Sequence, residues 1–198
     1  MDTKNQLHLT WRDLLPSEKP GEIGNRDISH AVSTDMGKTF SAPQPVAADG
    51  WKVNACPHTG PVVTQAGDEV LATWFSGKED EIGLRIADIN TGKRLTQRLS
   101  VRARHPQITT QNDRLLWVWD ESFQTGTNPE GGPMYTQKIC LQAFMRNKPG
   151  EVSYLSPETA QASYPAILTT KTGVMVAYEE RKTLTDNAVI VCKWIDAL

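Results

Sequence analysis

Short runs of alternating apolar and polar residues recur along the whole chain, with turn residues between them, and strong helical periodicity is hard to find. One unit, made of a strand, a polar turn and a second strand, occurs three times. Its first strand opens at Pro61, Pro106 and Pro165. Residues 7–11 look like the second strand of a fourth copy whose first strand is missing. The pattern therefore predicts repeated β-hairpins.

An aromatic residue closes the second strand of every copy, and successive aromatics are 63, 45 and 59 residues apart: Trp11, Trp74, Trp119 and Tyr178. Periods near ~40–50 residues with several strands each are typical of propeller blades. Third strands are predicted over residues 27–32, 82–87, 135–144 and 188–194, and an outer strand near Phe40. We therefore predict an all-β propeller with about four blades present, as a single partial propeller domain over residues 1–198.

Residues 33–40 read Ser-Thr-Asp-Met-Gly-Lys-Thr-Phe, and each residue type suits a tight turn. Ser33 and Asp35 can bond nearby backbone amides, and Gly37 supplies the positive φ that a tight hairpin requires. Thr39 and Phe40 would restart a strand and bring an aromatic side chain to the core. The pattern S-x-D-x-G-x-T-F resembles the Asp-box (BNR repeat) of sialidases and related β-propellers. This resemblance implies a sialidase-like fold, of which the chain would be a fragment of a six-bladed propeller.

Residues 164–179 are similar to the final-blade segment of sialidases, in which a Tyr precedes the innermost strand. The resemblance implies that Tyr164 is a nucleophile assisted by an acid, for which we name Glu180, an exception to hydrolysis by two carboxylates. It also implies that Arg12 and Arg26 bind a sialic-acid carboxylate with their planar guanidinium groups. Without the resemblance, a structural role stays open for each of these residues. Tyr164 would be an exposed aromatic, and both arginines would pair with neighbouring carboxylates in a structural network.

Strand directions in a meandering blade place two kinds of segment at one end of the propeller. These are the approaches to the innermost strands and the loops between second and third strands. That end collects polar, charged and aromatic residues, and concave ends of radial folds are the default location of a site. We expect six residues to converge there: Arg12, Arg26, His58, His105, Tyr164 and Arg181.

Part of the sialidase constellation is absent, because the family's first arginine motif and its Asp general acid would precede Met1. We expect a propeller that recognises glycans or a sialic-acid-like ligand, and that is a glycoside hydrolase of exo-sialidase type when complete. The alternative is a non-catalytic propeller that binds protein or carbohydrate. A chain that has lost its N-terminal blades would also have lost a signal for secretion or for the periplasm. A complete small protein would instead cover its open blade edges by self-association.

Charge is nearly balanced, with 21 basic and 23 acidic residues, and no basic run exists, so we expect no nucleic-acid partner. No apolar run approaches transmembrane length, and no apolar signal-peptide core follows Met1. The three cysteines, Cys56, Cys140 and Cys192, are far apart and odd in number. We therefore expect buried free thiols, with no metal site and no cofactor.

Overall fold

The structure is a computed structural model that describes residues 1–17, 19–57, 59–145, 148–183 and 185–195. Every regular element in these ranges is a β-strand, and the strands form four antiparallel sheets. The chain divides into two compact units, Met1–Val101 and Arg102–Leu198, and each unit holds two sheets. Within the described ranges, no helix is long and apolar enough to cross a membrane.

The first unit holds a three-stranded and a four-stranded sheet, each with its strands adjacent in chain order. The first sheet consists of β1 (Leu7–Arg12), β2 (Ile28–Ser33) and β3 (Gln44–Ala47). The second sheet consists of β4 (Val62–Ala66), β5 (Glu69–Ser76), β6 (Gly83–Asp88) and β7 (Arg94–Leu99). This meander of neighbouring strands is the order that a propeller blade requires.

Apolar side chains from both sheets of the first unit form its core, and Trp74 on β5 is fully buried there. The indole N–H of Trp74 donates to the Asp49 carboxylate at 2.6 Å. Asp49 also accepts from Arg85 and Arg94, each at 3.1 Å, so its buried charge is paired. The cluster comprises Ile28, Val46, Val70, Ala72, Trp74, Ala87 and Ile89.

A chain of three polar side chains ties the N-terminal residues to the first sheet. His8 Nε2 lies 3.0 Å from the carboxylate of Asp2, and His8 Nδ1 lies 3.0 Å from His30 Nε2. The other oxygen of Asp2 accepts the amides of Lys4 and Gln6. His30 is buried, and burial, followed by the charge of His8, lowers the pKa of His30. A hydrogen bond between the two rings requires that one of the two facing nitrogens carry the proton.

The second unit is built in the same way. The third sheet consists of β8 (Ala103–Gln111), β9 (Arg114–Thr127), β10 (Pro133–Met145) and β11 (Lys148–Tyr154). The fourth sheet consists of β12 (Gln161–Thr169), β13 (Val174–Arg181) and β14 (Val189–Ile195). Its core comprises Leu116, Val118, Ile139, Leu141, Ala162, Val174, Val176 and Tyr178.

The hairpin of β9 and β10 extends beyond the end of its sheet. Pairing between β8 and β9 ends at Ala103 and Glu121, whereas β9 continues to Thr127 in register with Pro133 on β10. The side chains toward its tip, from Gln124 onward on β9, are mostly exposed. The hairpin therefore projects from the end of the third sheet at which β8 begins.

Most predicted strands are present, but the expectations for Phe40 and for two of the three cysteines were wrong. The outer strand of the first sheet begins at Gln44 rather than near Phe40, whose side chain is 45% exposed instead of joining the core. The outer strands β7 and β11 were not predicted. Cys140 is buried as expected, but Cys56 and Cys192 are exposed free thiols, because they lie in a loop and on an outer face of β14.

The turn after β2 contains the hydrogen bonds that its residue types predict. The Ser33 hydroxyl accepts the amide of Gly37 at 2.8 Å and donates to Asp35 at 2.8 Å. The Asp35 carboxylate accepts the amide of Thr39 at 2.9 Å and its hydroxyl at 2.6 Å. These bonds, the Thr39 hydroxyl first, lower the pKa of Asp35 to about 2. Met36 and Gly37 both have positive φ, which explains the glycine.

Candidate functional site

Two innermost strands of the second unit carry the same bulge at the same place. Pairing of β8 with β9 is interrupted between Arg104 and Gln107, and pairing of β12 with β13 is interrupted between Ser163 and Ala166. Each interruption contains a residue followed by proline, namely His105 in β8 and Tyr164 in β12. Their φ angles are 48° and 54°, a left-handed conformation that is rare for residues other than glycine. Such outliers concentrate at functional sites.

One buried carboxylate holds both bulges. The Oδ2 atom of Asp120, on β9, accepts a hydrogen bond from the main-chain amide of Tyr164 at 2.8 Å. The same oxygen lies 2.7 Å from Nδ1 of His105. Asp120 is fully buried, and its other oxygen, Oδ1, has no hydrogen-bond partner among the described residues. We name His105, Asp120 and Tyr164 the bulge site.

The two rings of the bulge site lie against each other in front of this carboxylate. The centroids of His105 and Tyr164 are 4.4 Å apart, and the ring planes are tilted by 43°. The His105 side chain is 22% exposed, whereas Tyr164 is 58% exposed. The site thus presents an open aromatic surface beside a partly accessible imidazole, over a buried negative charge.

Two further polar residues flank the bulge site in the third sheet. Arg104 is paired in register with Asp120, and burial, partly opposed by the Asp120 charge, lowers the pKa of Arg104. The carboxylate of Glu121, next to Asp120, accepts the indole N–H of the buried Trp119 at 2.9 Å. Glu121 therefore supports the core, while Arg104 lies beside the carboxylate of the site.

Glu180 and Arg181 lie at the end of β13. Glu180 is in register with Ala162, and it contributes, after burial, to raising the pKa of Tyr178 to about 12. Its carboxylate is thus close to the phenol of Tyr178, and the carboxylate that bonds Tyr164 is Asp120, through the main chain. Arg181 lies 3.9 Å from Glu179. Assistance of Tyr164 by Glu180 stays a prediction.

Arg12 bridges three separate segments of the first unit. Its guanidinium group donates to the main-chain carbonyls of Thr59, Arg26 and Phe75, at 3.3 Å and 2.7 Å for the first two. It also lies 5.0 Å from the centroid of the Trp51 ring, and burial lowers the pKa of Arg12 to about 10. These contacts favour the structural alternative for Arg12, although the partners are carbonyls rather than the expected carboxylates. A ligand-binding role for Arg12 stays a prediction. It would require Arg12 to give up hydrogen bonds to these carbonyls and form bonds to the ligand instead.

Arg26 is the less engaged of the two arginines. Its main-chain amide donates to Trp51 at 2.7 Å, and the neighbouring Asp27 accepts the amides of Gly50 and Trp51. The Arg26 Nε atom is buried without a hydrogen-bond partner among the described residues, as is the hydroxyl of Thr59. Arg26 is therefore the better candidate for an anionic ligand.

The structure brings together two pairs of the predicted residues, Arg12 with Arg26 in the first unit and His105 with Tyr164 in the second. His58 lies outside the described residues. Convergence of all six residues on one end of the propeller stays a prediction.

The sequence interpretation did not include Asp120 among the site residues. A signal was present, because Asp120 directly follows the aromatic that closes the repeat, at the position that Arg12 occupies after Trp11. A second signal is the residue before the proline of each copy, which is Gly60, His105 and Tyr164 in turn. Side-chain chemistry therefore varies at a fixed position of the repeat.

No family model and no curated protein sequence matches the chain. Among solved structures, it is similar to the GH93 α-L-arabinofuranosidase of Fusarium graminearum in complex with arabinobiose. The TM-score is 0.55 and the identity 14%, over 97% of this chain and 59% of that one. A mutant of the α-L-arabinofuranosidase from Fusarium graminearum with an iminosugar inhibitor gives a TM-score of 0.54, the same identity and the same coverage.

The chain thus spans 59% of the length of the solved structures that it matches. At 14% identity the likeness concerns the fold. It confirms the all-β, β-propeller-like class, to which the four antiparallel sheets also belong. This likeness supports a propeller-like fold and does not support a relationship to sialidases in particular.

Proposed function

We propose that the bulge site of the second unit recognises glycans. The observation that carries this proposal is the exposed ring of Tyr164, fixed against His105 by the buried carboxylate of Asp120. An aromatic face can cover the apolar face of a sugar ring, while a few placed polar groups bond its hydroxyls. The solved structures of similar fold include one with arabinobiose bound, which supports a sugar as the ligand class.

Glycoside hydrolysis of sialidase type is the second candidate function. It rests on the resemblance of residues 33–40 and 164–179 to sialidases, and on the unpartnered Nε of Arg26, which suits a sugar carboxylate. In this reaction Tyr164 would give its phenol proton to Glu180 and its oxygen would bond the anomeric carbon, while the bond to the leaving oxygen breaks and that oxygen takes a proton from water. Water would then cleave the glycosyl–tyrosine bond and release the sugar.

Binding is tested by titrating the chain with arabinobiose and, separately, with sialyllactose, followed by NMR. We expect chemical-shift changes at residues 104–105 and 163–165 and their loss in Tyr164→Ala. Trp194→Ala is the matched control, because Trp194 has the same 58% exposure but lies on β14. Equal loss of binding in both variants, or no binding of either sugar by the natural chain, would contradict the proposal.

A further inference from the structure

The donor and acceptor roles within the bulge site follow from one shared oxygen. The amide of Tyr164 can only donate, so Asp120 Oδ2 accepts this bond. An ionised carboxylate is an acceptor only, so Nδ1 of His105 must carry the proton of the second bond, at 2.7 Å. In the neutral imidazole, the other nitrogen, Nε2, is then without a proton.

Nε2 of His105 has no hydrogen-bond partner among the described residues, and the His105 side chain is partly accessible. His105 lies in the interruption of the β8–β9 ladder, with a left-handed backbone, and its imidazole packs beside the exposed ring of Tyr164. A bare imidazole nitrogen beside an open aromatic surface can accept a hydrogen bond from a hydroxyl group.

We infer that His105 Nε2 is the acceptor for a hydroxyl of the bound sugar, and that Asp120 is the positioning residue that sets this tautomer. This inference rests on the proposed function and specifies the ligand group, a hydroxyl donor, that the bulge site recognises. Asp120 acts on both halves of the site, through the ring of His105 and through the main chain of Tyr164. Its second oxygen is buried without a hydrogen-bond partner among the described residues. Burial of a carboxylate is costly unless it is hydrogen-bonded, and the bonds from His105 and Tyr164 both fall on one oxygen.

The tautomer is measured directly by ¹⁵N–¹H correlation of the histidine rings of the natural chain at pH 8. We expect the His105 signals of an Nδ1–H tautomer. In Asp120→Asn the amide can donate to Nδ1, which moves the ring proton to Nε2, and we expect the pattern to invert. An Nε2–H tautomer in the natural chain would overturn the inference, and this measurement does not depend on whether the variant folds.

The acceptor is tested by His105→Asn. The Asn side-chain amide stands near the position of Nδ1 and can still donate to Asp120, but nothing replaces Nε2. Asn also tolerates positive φ better than most residues. We expect unchanged thermal stability and an affinity for arabinobiose about tenfold lower, the scale of one hydrogen bond.

The outcomes separate this inference from the proposed function. If His105→Asn binds arabinobiose as tightly as the natural chain while Tyr164→Ala does not, glycan recognition stands and the acceptor role of His105 is wrong. If the natural chain binds neither arabinobiose nor sialyllactose, both are wrong. A tenfold loss in His105→Asn, together with the Nδ1–H tautomer in the natural chain, supports both.

Discussion

The main-chain amide of Tyr164 donates a hydrogen bond to the carboxylate of Asp120, which lies 44 residues earlier in the chain and on a different sheet. This bond joins β12 to β9 at the position where β12 leaves its regular ladder. The left-handed backbone of Tyr164 is therefore held by a side chain rather than by strand pairing. Both proposals depend on this link.

Asp120→Ala should lower the free energy of unfolding by about 2 kcal/mol, because it leaves the amide of Tyr164 and the imidazole of His105 without their acceptor. Urea unfolding followed by tryptophan fluorescence measures this change. The matched control is Glu130→Ala, an exposed acidic residue near the tip of the β9–β10 hairpin. A change in Asp120→Ala no larger than in the control would show that the two bonds contribute little.

Tyr164→Phe should abolish any glycoside hydrolysis while sparing sugar binding, because the ring stays and the nucleophilic oxygen is lost. Turnover is measured with aryl glycosides of arabinose and of sialic acid, and binding by the NMR titration. Hydrolysis that persists in Tyr164→Phe would exclude the tyrosine mechanism. Loss of binding in this variant would instead assign the phenol oxygen to ligand recognition.

The two arginines of the first unit should respond differently to substitution. Arg12→Lys should lower the free energy of unfolding by about 2–3 kcal/mol, since one ammonium group cannot reach three separate carbonyls. Arg26→Ala should leave stability nearly unchanged and weaken binding of a sialylated sugar by about 1.5–3 kcal/mol, the scale of a charged hydrogen bond. Thermal unfolding measures the stability of each variant, and calorimetric titration measures its affinity for the sugar. A stable Arg12→Lys that binds weakly, with an unstable Arg26→Ala, would assign ligand binding to Arg12 and the structural role to Arg26.

Asp35→Ala should lower the melting temperature, because Asp35 accepts both the amide and the hydroxyl of Thr39. Since the folded pKa of Asp35 is about 2, below the ordinary value of 3.8, its contribution is complete above pH 3.8 and is lost as pH falls toward 2. Melting curves of both proteins between pH 6 and pH 2 should therefore converge at the acid end. Thr34→Ala, at an exposed position in the same turn, serves as the control.

His30 should make the chain less stable in mild acid. Its folded pKa is lowered from the ordinary value of 6.5, so the unfolded chain binds more protons below that pH. The contribution of His30 is therefore complete above pH 6.5 and is lost as pH falls through the lower folded value. Urea unfolding at pH 7.5 and pH 5.5 should show a smaller pH effect in His30→Gln than in the natural chain. An equal pH effect in both proteins would show that the loss of stability in mild acid comes from groups other than His30.

The repeat of proline, strand, turn and aromatic was sufficient to locate the second strands, because alternation and turn residues are local properties of the chain. The outer strand β11 was missed because Pro149 and Gly150 fall inside it and most of its side chains are exposed, which removes the alternating pattern. Phe40 was misassigned because residues 40–43 form no regular strand, although the Ser41 amide bonds the Val32 carbonyl, and β3 begins only at Gln44.

The candidate site was predictable only in part. Topology alone predicted His105 and Tyr164, because the sequence pattern places both just before an innermost strand, although in the structure both lie inside β8 and β12. Neither the positive φ before each proline nor the joint anchoring by Asp120 was predictable, because both depend on contacts between residues distant in the chain. The three carbonyl partners of Arg12 were not predictable for the same reason, because they lie in segments distant from Arg12 in the chain.

The bulges inside β8 and β12 present two different side chains, His105 and Tyr164, from the same left-handed backbone conformation. Both bulged residues are followed by proline, as is Gly60 before β4, and on either side of each bulge the strand is paired with its neighbour. We expect a single substitution at a bulge to change the exposed side chain there while the paired residues on either side stay in place. Variation of ligand preference among relatives, and its redesign in the laboratory, would accordingly concentrate at this one position of each repeat.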